Sequence, residues 1–123
     1  MLCPACVTHS LPQAQRVRRA YSSDDVAVVG LHTVFEHHDV MGPDALRTFL
    51  SEFRITFPVG IDRHDPGDRI PATMREYALQ GTPSTILVDR DGRGRSSSFG
   101  TLEDLALGTA IGRLLAERGP EPA

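Results

Sequence analysis

The chain has 123 residues, 40% of them apolar and 24% charged, with a formal net charge of −3. That is one domain's worth of chain, long enough to bury a core without disulfides or metals, and its composition reads as an ordinary soluble globular protein. The charge is mild, the arginines are scattered among acids, and no apolar run approaches the ~18 residues of a membrane span, so nucleic-acid and membrane-spanning classes are set aside.

In chain order, residues 4–20 are expected to form a helix. Pro4 suits its first position, where a missing N–H is no loss, Pro12 should kink it, and Arg16, Arg18 and Arg19 suit its negative end. After the polar break Ser22-Ser23-Asp24-Asp25, the apolar run Val26-Ala27-Val28-Val29-Gly30-Leu31 predicts a strand buried on both faces of a parallel sheet. Residues 33–42 are a loop carrying Glu36, His37, His38 and Asp39. Pro43 opens a helix to about Phe53, with Leu46, Phe49, Leu50 and Phe53 at helical spacing. Residues 57–61 make a short extended piece that Pro58 places at an edge.

Residues 62–70 read as a surface loop, 71–79 as a short helix and 84–89 as a second buried strand. Asp89-Arg90-Asp91-Gly92 favours a tight turn into a return strand over 93–99. Thr101 is expected to cap the last helix, with Asp104 completing an acidic capping box. Leu105, Ile111, Leu114 and Leu115 give that helix a buried stripe, and Gly119-Pro120 stops it. The pattern is that of a single α/β domain over residues 1–123.

Cys3 and Cys6 are the chain's two cysteines. A bridge across so short a loop constrains the unfolded chain little, so Cys3-Pro4-Ala5-Cys6 points to chemistry. At a helix N-terminus, unpaired N–H groups and the helix dipole favour thiolate over thiol, lowering a cysteine pKa from about 8.5 to roughly 3.5–7.5. Cys3 at the cap is the expected nucleophile, and Cys6, one turn in, the resolving thiol. The pair also reads as half of a zinc site, with His9, His32, His37 and His38 as candidate ligands, or as two inert thiols. The histidines lack the spacing of a usual structural zinc site, so a redox dithiol with no metal and no separate cofactor is expected.

Together with Gly81-Thr82-Pro83-Ser84 leading into Thr85-Ile86-Leu87-Val88, the Cys3–Cys6 motif resembles the thioredoxin superfamily. Within it, Phe57-Pro58-Val59-Gly60-Ile61-Asp62 and the stretch from Gly81 to Gly92 are similar to TlpA-like thiol-disulfide oxidoreductases, of the redoxin or AhpC/TSA-like group. The resemblance covers nearly the whole chain. It implies a thioredoxin-like fold, with a central mixed sheet flanked by helices, and an enzyme acting on protein disulfides. It also implies a cis Thr82–Pro83 peptide packed against the dithiol, Pro4 and Ala5 shaping the site, and Thr82 offering backbone groups to an extended substrate. The implied partners are protein thiols or disulfides and an upstream thiol reductant, with no nucleic acid and no membrane contact from this chain.

Three departures from the family pattern stand out. His9 occupies a position where TlpA-like proteins often carry a glutamate, and an imidazole there could relay a proton to or from Cys6. Pro12 follows Cys6 by six residues rather than five. Only Met1-Leu2 precede Cys3, where the family has a central strand. A start upstream of Met1 is the expected explanation, with a strand supplied by another chain in a homo-oligomer, or closing up of the flanking strands, as the others. Residues 1–20 lack the apolar region of a secretory signal, which reads as cytoplasmic, or extracytoplasmic if the chain begins late. A copper-handling protein using two thiols and a histidine, and a redox-inactive interaction module, are the alternative functions. A peroxiredoxin is disfavoured, since no Ser or Thr stands just before Cys3.

Overall fold

A computed structural model of the chain describes residues 1–117, so the expected stop at Gly119-Pro120 lies outside the described residues. Residues 4 and 5 are already helical and lead into a π-helical turn, Cys6–Ser10, that continues as α1, Leu11–Ala20. Strand β1 is Gly30–His32, followed by a 3₁₀ turn at His38–Val40 and helix α2 at Pro43–Glu52. Strand β2 is Val59–Ile61 and helix α3 is Ala72–Glu76. The hairpin of β3, Ser84–Val88, and β4, Gly94–Phe99, precedes helix α4, Asp104–Ala116.

The sheet comes in two halves. β1 pairs with β2 in parallel, Gly30 opposite Val59 and His32 opposite Ile61. β3 pairs with β4 antiparallel, from Ser84 opposite Phe99 to Val88 opposite Gly94, with an irregularity at Leu87/Val88. β1 and β3 do not pair with each other, so the flanking strands have not closed up. Gly30 lets β1 lie tight on its neighbours: a Cβ there would stand 3.1 Å from Val59 Cγ2 and 3.2 Å from Phe57 Cε2. Buried apolar side chains come from the loop after β1 (Val34, Met41), from α2 (Leu46), from the approach to β2 (Phe57), from Pro71 and Met74 around α3, and from α4 (Leu107, Ile111).

Four sequence expectations give way. The strand over 26–31 shortens to Gly30–His32, because β2 offers only three residues to pair with and the other edge has no ladder partner among the described residues. It is not buried on both faces either, since Val29 is 70% and Leu31 45% exposed. The last helix starts at Asp104 with Glu103 at its cap and no side-chain capping bond, so Thr101 does not cap it. Leu105 faces outward, and Leu107 with Ile111 supplies the buried side of α4.

Asp62 is the fourth, a buried carboxylate rather than the start of a surface loop. It accepts hydrogen bonds from the Thr73 N–H (3.0 Å) and Met74 N–H (3.2 Å), both in the first turn of α3, and from the Thr33 hydroxyl (3.1 Å). It thus caps α3 from 11 residues away and ties it to the end of β1. Burial by itself would raise its pKa, but the donors of Thr73, Met74 and Thr33 outweigh burial and hold the carboxyl below its ordinary 3.8. Its stabilisation is therefore complete above the unfolded-state value of about 3.9 and lost as pH falls through the lower folded value. Asp62→Ala is expected to lower unfolding free energy by about 2–3 kcal/mol at neutral pH in urea titrations, and to flatten the loss of stability below about pH 4. An unchanged acid limb would show that another carboxylate governs it.

Candidate active site

Cys3 and Cys6 form a disulfide, with their Cα atoms 5.2 Å apart. The local sequence dictates this geometry. Cys3 is the last non-helical residue, Pro4 begins the helix, and the Val7 N–H bonds back to the Cys3 carbonyl at 3.2 Å. Cys3 therefore occupies the N-cap, and the N–H of Cys6, the third helical residue, points at Cys3 Sγ from 3.2 Å. A cap serine or aspartate would place its oxygen there to take up the same unpaired donor. Both sulfur-bearing residues are half-buried, while Pro4 is exposed.

The turn that follows is wide. The Leu11 N–H reaches back to the Cys6 carbonyl, a five-residue step that accommodates one more residue than an α-turn. It sits directly ahead of Pro12, which has no N–H to give. The expected irregularity at Pro12 thus lies one turn earlier, and the extra residue between Cys6 and Pro12 is absorbed within Cys6–Ser10.

One face of this helix is anchored to the start of α4. His9 Nε2 donates to the Leu102 carbonyl at 2.8 Å, and Gln13 Nε2 donates to the same oxygen at 2.8 Å and to Asp104 Oδ1 at 2.9 Å. Arg16 completes the stripe with two bonds to the Asp104 carboxylate, at 2.9 and 3.0 Å. Bonds from Arg16 and then Gln13 hold the Asp104 pKa below its ordinary range. His9, singled out for its nearness to Cys6, thus has Nε2 engaged with Leu102, leaving Nδ1 as its other proton site.

The Thr82–Pro83 peptide is cis. Its loop is held by the Ser84 hydroxyl donating to the Gly81 carbonyl (2.7 Å) and the Gly100 N–H donating to the Pro83 carbonyl (2.8 Å). Cys3, Cys6, Thr82 and Pro83 all lie along one cavity of about 720 Å³. Of the other histidines named as candidate metal ligands, His32 Nε2 donates to the Met41 carbonyl and His38 Nε2 to the Arg69 carbonyl. Among the described residues no three His, Cys, Asp or Glu side chains converge as a metal-ligand set, and no helix is long and apolar enough to cross a membrane.

Sequence reasoning missed Gln13 and Leu102. Gln13 is the one buried residue of α1, and nothing in its neighbours marks a polar side chain there as interior. Gln13→Ala should cost about 1–3 kcal/mol of stability, since it removes two buried-end hydrogen bonds. Arg16→Ala, which breaks an exposed pair, should cost less. Chemical denaturation of the two variants checks the ranking.

No protein-family model matches the chain, and no curated protein matches it. Solved structures do. A thiol-disulfide isomerase from Corynebacterium glutamicum is 54% identical, with a TM-score of 0.94, over 95% of this chain and 76% of its own. A thioredoxin-like superfamily protein is 51% identical, with a TM-score of 0.93, over 97% of this chain and 77% of its own. A thiol:disulfide interchange protein, DsbE, from Chlorobium tepidum is 24% identical and shares the fold, with a TM-score of 0.70 over 93% of this chain and 73% of its own. With a disulfide at the cap of its first helix, a cis-proline loop lining the same cavity and half its residues shared with such proteins, the chain belongs to the thioredoxin-like superfamily, among its thiol-disulfide oxidoreductases.

Proposed function

We propose that the chain exchanges disulfides with protein substrates through Cys3 and Cys6, Cys3 attacking and Cys6 resolving. The observation that carries this reading is the Cys6 N–H aimed at Cys3 Sγ from 3.2 Å. On reduction, that donor and the helix dipole act on a thiolate at Cys3, favouring the charged form and leaving it poised at the helix end. Cys6 is one turn along, close enough to take the bond back.

In the reducing direction, the Cys3 thiolate attacks a substrate disulfide. One substrate sulfur leaves as a thiolate and the other stays bonded to Cys3. The Cys6 thiolate then attacks Cys3 Sγ, breaking the mixed disulfide and releasing the second substrate thiol. Two electrons have passed to the substrate, and the chain holds the Cys3–Cys6 disulfide until an upstream thiol reductant returns it to the dithiol. The reverse sequence oxidises a substrate dithiol, and release to a different substrate sulfur isomerises it. Thr82 and Pro83 share the cavity with the cysteines, which supports their reading as the edge along which an extended substrate lies, with Pro4 and Ala5 flanking it. His9 Nδ1 is the candidate proton carrier for Cys6. The disulfide itself is the only redox group this chemistry requires.

Equilibration in graded thiol buffers, trapping by alkylation and intact-mass measurement should show a reversible two-electron transition. A midpoint near about −270 mV would mark a reductant and one near about −120 mV an oxidant. Folded protein without such a transition would overturn the proposal. Cys3→Ser should abolish exchange, whereas Cys6→Ser should still attack and accumulate a mixed disulfide on Cys3. The opposite result would reverse the two roles.

A further inference from the structure

The Leu102 carbonyl takes two donors from the active-site helix, His9 Nε2 and Gln13 Nε2, each at 2.8 Å. A carbonyl oxygen has two lone pairs and no proton to give, so both lone pairs are filled and both nitrogens carry hydrogen. Neutral His9 therefore holds its proton on Nε2, and its Nδ1 is a bare lone pair. Gln13 directs its other amide hydrogen to Asp104 Oδ1 at 2.9 Å and is 4% exposed. With both hydrogens committed, this buried amide fixes the Leu102 peptide against the helix that carries the dithiol.

His9 stands in the wide turn Cys6–Ser10, three residues after Cys6. A helical side chain leans back over the turn before its own, so the near side of the ring lies toward Cys6 while the far nitrogen, Nε2, reaches Leu102. The near nitrogen is Nδ1. We propose that Gln13 is a positioning residue for the resolving step: it holds the Leu102 carbonyl where that oxygen keeps the His9 proton on Nε2 and turns the Nδ1 lone pair to the Cys6 proton.

This role rests on the exchange described above, with His9 as the proton carrier. In the mixed disulfide the Cys6 thiol must shed its proton before its sulfur can attack. His9 Nδ1 accepts that proton, the bond from Cys6 to Cys3 forms, the bond from Cys3 to the substrate sulfur breaks, and the substrate leaves as a thiolate. The imidazolium then returns the proton to the leaving thiolate or to solvent. Nε2 donates in both the neutral and the charged ring, so the bond to Leu102 persists through the transfer. The charge gained by His9 lies near enough to the Asp104 carboxylate to attract it, and Gln13 and Arg16 hold that carboxylate in place.

Dithiobis(nitrobenzoate), mixed with the reduced chain in stopped flow, separates the two steps: attack by Cys3 releases one coloured thiolate and resolution by Cys6 a second. Gln13→Met, of similar length but without a donor, should slow the second release by roughly tenfold and leave the first unchanged. The Nε2–H proton of His9, resolved by ring nitrogen NMR in the parent chain, should be lost to exchange in that variant, a change that a packing role for Gln13 does not predict. His9→Gln, which keeps a donor for Leu102 but offers no base, should slow the second release by about a hundredfold or more. If Gln13→Met does not fold, Asp104→Ala, which strips Gln13 of one partner at an exposed residue, should show the same selective slowing. An unchanged second release in the folded variant, or both releases slowed alike, would overturn the proposal. Unchanged resolution in His9→Gln would remove the proton carrier and the role of Gln13 with it, yet leave exchange by Cys3 and Cys6 intact, whereas no first release from the parent chain would overturn the exchange reading itself.

Discussion

Backbone N–H groups that secondary structure leaves unpaired must find an acceptor, and three sets of them organise this protein. At the first helix, the donor belongs to Cys6 and the acceptor is a sulfur. At α3 the donors belong to Thr73 and Met74, and the acceptor is the carboxylate of Asp62. At the free edges of β1 and β3 the described residues supply no strand partner. The same physical demand thus meets a disulfide sulfur in one place and a structural cap in another. The difference lies in the acceptor. A carboxylate satisfies the donors and stays put, whereas a sulfur satisfies the donor and can exchange its bond.

The polar contacts that position the dithiol are few and partly buried, which gives them more influence than the more numerous surface pairs. Arg47–Asp44 and Arg63–Asp65 are exposed and worth little each. Arg95 does more, because it joins Asp89 at the hairpin turn to Glu117 at the end of α4 and so fixes β4 to that helix. At the other end of α4, the Leu102 carbonyl takes both His9 and Gln13. α4 is therefore gripped at its N-terminal end by the active-site helix and at its C-terminal end by the hairpin that carries Pro83. The dithiol and the Thr82–Pro83 loop come from segments far apart in the chain, and α4 is bonded both to the helix that carries the one and to the hairpin that follows the other.

The sequence was readable where the signal is local. The Cys3-Pro4-Ala5-Cys6 motif, the Gly81-Thr82-Pro83 loop, the Asp91-Gly92 turn and the helical spacing of residues 43–53 each involve neighbours, and each lies where the sequence places it. What failed depends on distant partners. The apolar run from Val26 has strong β-propensity, but a ladder exists only where another strand lies alongside, and β2 reaches only Gly30 to His32. Asp62 and Gln13 are ordinary surface residues by composition; the donors and acceptors that bury them come 11 and 89 residues later. Thr101 has the right chemistry for a cap, but the chain stays extended to Glu103.

The spacing between Cys6 and Pro12 shows how local and distant demands are reconciled. Each residue of an α-helix advances about 100° around its axis, so one added residue in a regular helix would swing the dithiol that far from the face bearing Gln13 and Arg16. That face is fixed by Leu102 and Asp104, and the dithiol must still look into the cavity beside Pro83. A five-residue hydrogen-bond step from Leu11 to Cys6 takes up the extra residue in one turn, leaving both orientations in place. Pro12 favours that solution, because it cannot donate the bond that would tighten the next turn. The wide turn therefore follows from two fixed directions on one helix with one residue too many between them.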